Sequence, residues 1–534
     1  MVSFASMTNR YLAETKNEFA LESRTLTDND GLAADANGTI QDGKDMARLG
    51  KKQQFQRNFR FISILGFTCT LMCTWECLVA SASLALINGG LAGFVWTCFG
   101  TTFCYTAVIA SMADMASMMP TTGGQYHWVS EFAPKSKQKF MSYMAGWTAS
   151  LGWQAGLAST AFLSATMIQG LVVLNYPTYE AQRWHATLIF IAVLSVCIFF
   201  NTIGARHLPL IEGLILMLHI MGFFAVVIPL WVLAPKISAK EVFTSFSNTG
   251  GWSSVGSACM VGQLASVYSF LGPDAAVHMA EEIRDASKIV PRAMITTVLV
   301  NGLLGFVMVI TFCFCITDLP AALDSRTGFP FIEVFHAATD SKAGATAMVS
   351  IFIALLMCCA IGNLATASRQ FFAFARDDGM PGAHIWSRVT TVGVAIPLHA
   401  ILISMTISIA IALINIGSTA AFNSVVSLVT AADFSTYFLS IICILTKRLR
   451  GEPLLPSRWS MGKWAIPVNI FACAYLIFGM VMSFFPTSRI GLSPEGMNWS
   501  VLVYTVVVAG AAVLYLVHGR YTYRGPVVNV RRVE

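Results

Sequence analysis

Residues 266–274 read Ser-Val-Tyr-Ser-Phe-Leu-Gly-Pro-Asp, in the middle of an apolar stretch at 254–280. A helix needs about 20 apolar residues to cross the hydrocarbon core of a bilayer, so this stretch is long enough to span one. Pro273 has no amide hydrogen and clashes with the turn before it, and Gly272 lowers helix propensity. Gly-Pro at mid-span therefore predicts a broken helix. Freed backbone amides and carbonyls are tolerated at that depth only where they line a cavity; the plainer alternative is a kink in a packing helix. A second interruption favours the cavity. Thr68, Thr70, Cys73, Thr74, Trp75 and Glu76 break up the apolar stretch at 61–88. The two are the first and sixth apolar stretches of the chain, equivalent places in two five-helix halves. Breaks paired in this way mark the central site of a membrane protein built from inverted repeats.

The rest of the chain agrees. Of its 534 residues 55% are hydrophobic and only 12% charged, about half the charge a soluble domain carries, so most of the surface faces lipid. Spans are predicted at 61–88, 92–112, 141–173, 185–203, 210–233, 254–280, 293–317, 344–373, 396–416, 419–446, 464–485 and 497–518. This is an all-α membrane protein of 12 transmembrane helices in one integrated domain, 56–518. Basic residues are sorted by loop: on one side only Arg183, Lys236, Lys240, Arg326, Lys342 and Arg489 occur, and nearly all others fall on the opposite side. The positive-inside rule then puts both termini in the cytoplasm. The polar N-terminal tail, 1–55, lacks the apolar content to fold alone and is expected to be disordered. It carries no cleavable signal peptide, so the first span is expected to act as an internal signal anchor. Residues 519–534 form a cytoplasmic C-tail. The 13 cysteines lie in apolar segments without CxxC pairs near histidine, which argues for packing rather than metal. No cofactor, metal or nucleic-acid signature is present, and the scattered histidines offer no catalytic constellation.

Several motifs in order carry a resemblance: Leu65-Gly66-Phe67 with Thr74-Trp75-Glu76, Asn88-Gly89-Gly90, Met119-Pro120-Thr121-Thr122-Gly123-Gly124-Gln125-Tyr126-His127-Trp128, and Leu151-Gly152-Trp153-Gln154. Then come Phe270-Leu271-Gly272-Pro273-Asp274, His278-Met279-Ala280-Glu281-Glu282, Val290-Pro291-Arg292 and Ser368-Arg369 with Ala373-Phe374-Ala375-Arg376-Asp377. Over residues 50–525 the chain resembles fungal permeases of the amino acid/choline transporter group, in the amino acid–polyamine–organocation superfamily. It departs at Asp114, where the family often has Glu, and at Leu91, where Pro commonly follows the glycine pair.

The resemblance implies a LeuT-type fold, a 5+5 inverted repeat plus two C-terminal helices. Substrate would sit between the unwound parts of spans 1 and 6, near Cys73, Thr74, Trp75, Glu76 and Cys77 and near Ser269, Phe270, Leu271, Gly272 and Asp274. Tyr268 occupies the place of an aromatic gate in relatives, with a packing ring as the alternative. Glu76 suits a substrate ammonium or a coupling proton, or a hydrogen bond to a neighbouring helix. Asp274 either caps the second half of span 6 or contacts substrate. His219, where some proton-coupled relatives carry Lys, is a proton-coupling candidate, because histidine titrates in the working range; a satisfied core histidine is the alternative. Asp433 is a third proton-coupling candidate, or a helix–helix hydrogen bond. Glu281, Glu282, Arg292, Arg369 and Arg376 are expected to pair as an inner gate, or to remain solvated charge.

The expectation is secondary-active uptake of amino acids or related amines (γ-aminobutyrate-like or choline-like) by proton symport. The plasma membrane is the expected location, the vacuolar membrane the second. A nutrient sensor that binds the same ligands with little transport is the alternative, and the short tails speak against it.

Overall fold

The computed structural model describes residues 38–390, 395–417, 424–494 and 496–526. Eleven described helices are long and apolar enough to cross a membrane. In order they are Phe61–Ala80, Gly90–Met118, Gln138–Asn175, Arg183–Asn201, Ala205–Leu233, Val255–His278, Ala286–Cys315, Lys342–Arg376, Val425–Leu449, Gly462–Ser483 and Ser500–Thr522. Leu398–Gly417, between the eighth and ninth of these, is a shorter apolar helix. The twelve are numbered spans 1 to 12 below, as in the sequence reading, so Leu398–Gly417 is span 9.

Burial sorts the spans into layers. Span 1 is 83% buried and span 6 is 72% buried, whereas span 12 is only 11% buried. Spans 5, 11 and 12 turn Leu214, Met221, Ile228, Ile470, Val506 and Val513 outward, the apolar coat that lipid requires. Span 10 is 78% buried, and spans 1, 6 and 10 are thus the most enclosed; spans 1 and 6 meet each other and pack against spans 2, 5, 7, 8 and 10.

The tail preceding span 1 is partly folded, which corrects the expectation of disorder through residue 55. Residues 1–37 of it, and 527–534 of the C-tail, lie outside the described residues. Ile40–Arg48 is a helix opened by a capping box: the Thr39 hydroxyl accepts from the Asp42 amide and the Asp42 carboxylate accepts from the Thr39 amide. The segment does not fold alone. Asp42 also accepts from the amides of Asp285 (2.9 Å) and Ala286 (3.0 Å) at the start of span 7, satisfying donors that a helix N-terminus leaves free. Burial pushes the Asp42 carboxyl up, but Arg57 (3.3 Å away) and the donated hydrogen bonds hold it below its ordinary value. Beyond the helix, Phe59 exchanges backbone hydrogen bonds of 3.0 Å with Glu282 and Arg284. Leu49 and Phe55 of this strap are buried against the bundle. At the same end the C-terminal segment docks through Tyr523, whose hydroxyl meets that of Ser142 at 2.6 Å. Both terminal segments therefore close one end of the bundle, the end rich in basic residues.

Candidate functional site

Span 1 is broken at a single residue. Phe61–Met72 ends and Thr74–Ala80 begins at Cys73, which holds φ 45° and ψ 44°. A non-glycine residue there is uncommon and is retained where the surroundings enforce it. Span 6 is broken between Phe270 and Ala275, with Gly272 at φ 114°. The breaks abut: a Cβ on Gly272 would fall 2.5 Å from the Leu71 side chain.

A small cavity of about 30 Å³ lies beside the breaks. Leu71, Met72 and Cys77 line it from span 1, and Tyr268, Leu271 and Gly272 from span 6. Span 3 contributes Gly152, Trp153, Gly156, Ser159 and Thr160, span 8 Cys359 and Asn363, and span 10 Val429 and Asp433. Of the residues expected to hold substrate, Cys77, Tyr268, Leu271 and Gly272 line this space. Cys73, Thr74, Trp75, Glu76, Ser269, Phe270 and Asp274 are buried around it without lining it. Trp75 packs against His219, Phe223 and Phe352, Phe270 against Tyr105, and the Ser269 hydroxyl donates to Ala265 within its own helix.

The three acids inside spans that the sequence reading singles out, Glu76, Asp274 and Asp433, have different fates. Glu76 is fully buried, and one carboxylate oxygen lies 2.8 Å from His219 Nδ1. His219 Nε2 lies 3.1 Å from Asn301 Oδ1, while the Asn301 amide donates to the Cys69 carbonyl. Asn301 Oδ1 can only accept, so Nε2 must carry a hydrogen. The bond between Nδ1 and Glu76 then needs one proton, held by imidazolium or by the carboxyl. Asp274 does not cap the second half of span 6. Its carboxylate is turned aside to accept from Gln125 (2.7 Å) and the Tyr437 hydroxyl (2.8 Å). Asp433 faces the cavity.

At the basic end Arg376 grips Glu281 with two nitrogens, at 2.7 and 2.9 Å, and Thr122 donates to the same carboxylate at 2.7 Å. Arg369 pairs with Glu282. Lys51 from the strap reaches both oxygens of Asp377 at 2.8 Å, and Tyr126 donates to one of them. Arg292 stands outside this network. It is exposed on span 7 and makes no ion pair with any described residue. Burial pushes the Glu281 carboxyl up, yet Arg376, Lys51 and Thr122 hold it well below the carboxylate range. The cavity is wired to this clasp: Trp153 Nε1 donates to His278 Nε2 (3.1 Å), and His278 Nδ1 donates to the Thr122 carbonyl (2.9 Å).

Sequence reasoning gave no role to Trp153, Asn363 or Asn301, nor to Glu212, a buried acid of span 5 with one unpartnered oxygen. Glu212 was findable, since any ionisable residue inside a span is a functional candidate. Trp153 stood in a quoted motif, but only the fold shows that it faces the cavity.

A multi-span bundle with two abutting broken helices, a cavity beside them and an ion-paired end is the architecture of a multi-pass membrane transporter. The chain belongs to the amino acid permease family, whose model matches residues 59–508. It is 32% identical over 441 residues to a putative amino acid/polyamine transporter of Macrophomina phaseolina, covering 82% of this chain and 96% of that one. It is 28% identical to the choline transporter of Saccharomyces cerevisiae (90% and 84% covered) and 28% identical to amino-acid permease 2 of Neurospora crassa (92% and 90% covered). Among solved structures it resembles a mutant manganese transporter of Eremococcus coleocola, with a TM-score of 0.53 and 10% identity over 88% and 95% of the two chains. That likeness concerns the LeuT-like fold alone.

Proposed function

We propose that this permease takes up small amines or amino acids by proton symport, with alternating access around the breaks in spans 1 and 6. Both termini face the cytoplasm, by the loop charges, and the plasma membrane is the site of action, ahead of the vacuolar membrane. The transporter domain is 56–518. Substrate occupies the cavity lined by Cys77, Tyr268, Leu271 and Gly272. Glu281, Glu282, Arg369 and Arg376 form the inner gate.

The observation that carries the coupling is the buried Glu76–His219–Asn301 chain. It holds one titratable hydrogen bond directly after the break in span 1, away from the cavity lining. A proton there changes the charge beside the hinge, and the hinge shapes the cavity. The test is radiolabelled uptake in a permease-deficient host across external pH, with and without sodium. Uptake should rise with acidity and ignore sodium. Glu76→Gln should flatten the pH profile and lower the rate at least about a hundredfold, the lower range for loss of a proton-transfer group. Uptake that follows sodium and ignores pH, or a Glu76→Gln carrier that behaves as wild type, rejects the coupling.

A further inference from the structure

We propose that Asp433 is the counter-ion for a cationic amine in the cavity, with the Trp153 and Tyr268 rings as the other walls of the head-group site. The inference rests on the cavity being the transport site, and it deepens that reading by naming the group that selects substrate.

Among the described residues Asp433 is the only charged side chain lining the cavity, and no Lys, Arg or His joins it. It is 5% exposed, and its carboxylate has no hydrogen-bond or ion-pair partner among the described residues. The neighbouring acids are both engaged, Glu76 by His219 and Asp274 by Gln125 and Tyr437. The helix–helix hydrogen bond that would make Asp433 merely structural is therefore missing. The fold also keeps space for the carboxylate. It leans on Gly152 of span 3, where any Cβ would collide with Asp433 Oδ1.

A buried carboxylate without a counter-charge is costly, and breaking a buried pair costs far more than the intact pair contributes. A ligand cation removes that cost. Aromatic rings attract a cation whether or not it carries N–H donors, so Trp153 and Tyr268 admit quaternary as well as primary ammonium. An anionic ligand meets one carboxylate and no cationic side chain. The expected order is net cations first, zwitterions second and anions last. Asp433 is thereby a substrate-binding group, and proton coupling stays with Glu76 and His219.

The experiment is competition against uptake in the full-length carrier, using choline, putrescine, γ-aminobutyrate, glutamate and the uncharged choline isostere 3,3-dimethylbutanol. The variants are Asp433→Asn, Asp433→Glu and the cavity-filling Gly156→Trp, each normalised to surface protein. Asp433→Asn should raise the half-inhibitory concentrations of choline and putrescine about 50-fold, within the range for losing one partner of a buried charge pair, and leave that of the isostere unchanged. Asp433→Glu should recover part of the loss. Cation affinities equal to wild type in Asp433→Asn, or glutamate competing as well as choline, would overturn the assignment. So would a loss of rate at unchanged affinity, the signature of a coupling or packing role. If Gly156→Trp leaves uptake intact, the cavity itself is not the transport site. If Gly156→Trp abolishes uptake while Asp433→Asn keeps its cation affinities, only the role of Asp433 falls.

Discussion

Glu76, Asp274 and Asp433 look alike in sequence, each an acid inside an apolar stretch, and the fold separates them by partners far away in the chain. Glu76 meets His219 of span 5; Asp274 meets Gln125, before span 3, and Tyr437 of span 10. Spacing along one chain carries no record of such meetings. That is why the acids were legible as important and their roles were not. The ion pairs of the proposed gate were easier, because Glu281-Glu282 and Arg369 with Arg376 are opposite charges near the ends of their spans. Arg292 was included on charge alone, and the surface it occupies on span 7 is visible only in three dimensions. Glu281 offers a test at this scale. Glu281→Gln leaves the half-buried Arg376 without the carboxylate it grips, a loss of about 3 kcal/mol by comparison with other broken buried pairs. The folded state holds the Glu281 carboxyl below its ordinary value, so its stabilisation is full above that ordinary value. It is lost as pH falls toward the folded value. The gap in thermal midpoint between wild type and Glu281→Gln should be wide at pH 7 and narrower at pH 3.5. A gap independent of pH would show that the carboxylate is not held as an ion.

Elements were the most legible scale. The hydropathic stretches match the observed spans closely, because a bilayer demands long apolar helices and leaves little freedom in their length. The Gly-Pro break of span 6 was readable from backbone chemistry. The break of span 1 was only bracketed by the polar run Thr68–Glu76, since nothing in a cysteine announces the left-handed conformation that Cys73 adopts. The helix Ile40–Arg48 escaped because its stability comes from the Thr39–Asp42 box and from amides of span 7, and composition shows neither. Gly272 is where the two breaks depend on each other. In Gly272→Ala a Cβ would press on Leu71, at a φ of 114° that L-residues rarely adopt. The strain should cost about 1–3 kcal/mol and lower uptake per surface molecule at least about tenfold. Adding Leu71→Ala should relieve the collision and leave the backbone cost, so the double variant should regain only part of the loss in thermal midpoint. Full recovery would mean that crowding alone requires the glycine.

At the scale of the whole molecule, one end is bound by more than the gate. The turn just after span 6 carries Glu281 and Glu282, gripped from span 8, while the strap from Gly38 to Phe59 crosses the same place. Gln53 and Arg57 donate to carbonyls at 280, 281 and 283, and Lys51 holds Asp377. Opening the cavity toward this end would require span 6 and the strap to move together, because Asp42 ties the strap to span 7 as well. The strap should therefore report on that movement. Lys51 is largely buried by its pairing with Asp377, and Lys52 beside it is exposed but held in the docked backbone. Trypsin needs the segment undocked to cleave it, and cleavage follows the population of the open form. Asp42→Ala removes the acceptor for two span 7 amides and the counter-charge of Arg57. A lost cap alone is worth about 1 kcal/mol, so initial cleavage after Lys51 and Lys52 should rise about fivefold to tenfold in inside-out vesicles. With this end cytoplasmic, as proposed above, intact cells treated with external trypsin should show none. Cleavage from outside would reverse the orientation. An unchanged rate in Asp42→Ala would mean that the strap is held by Lys51 and Arg57 without help from the start of span 7.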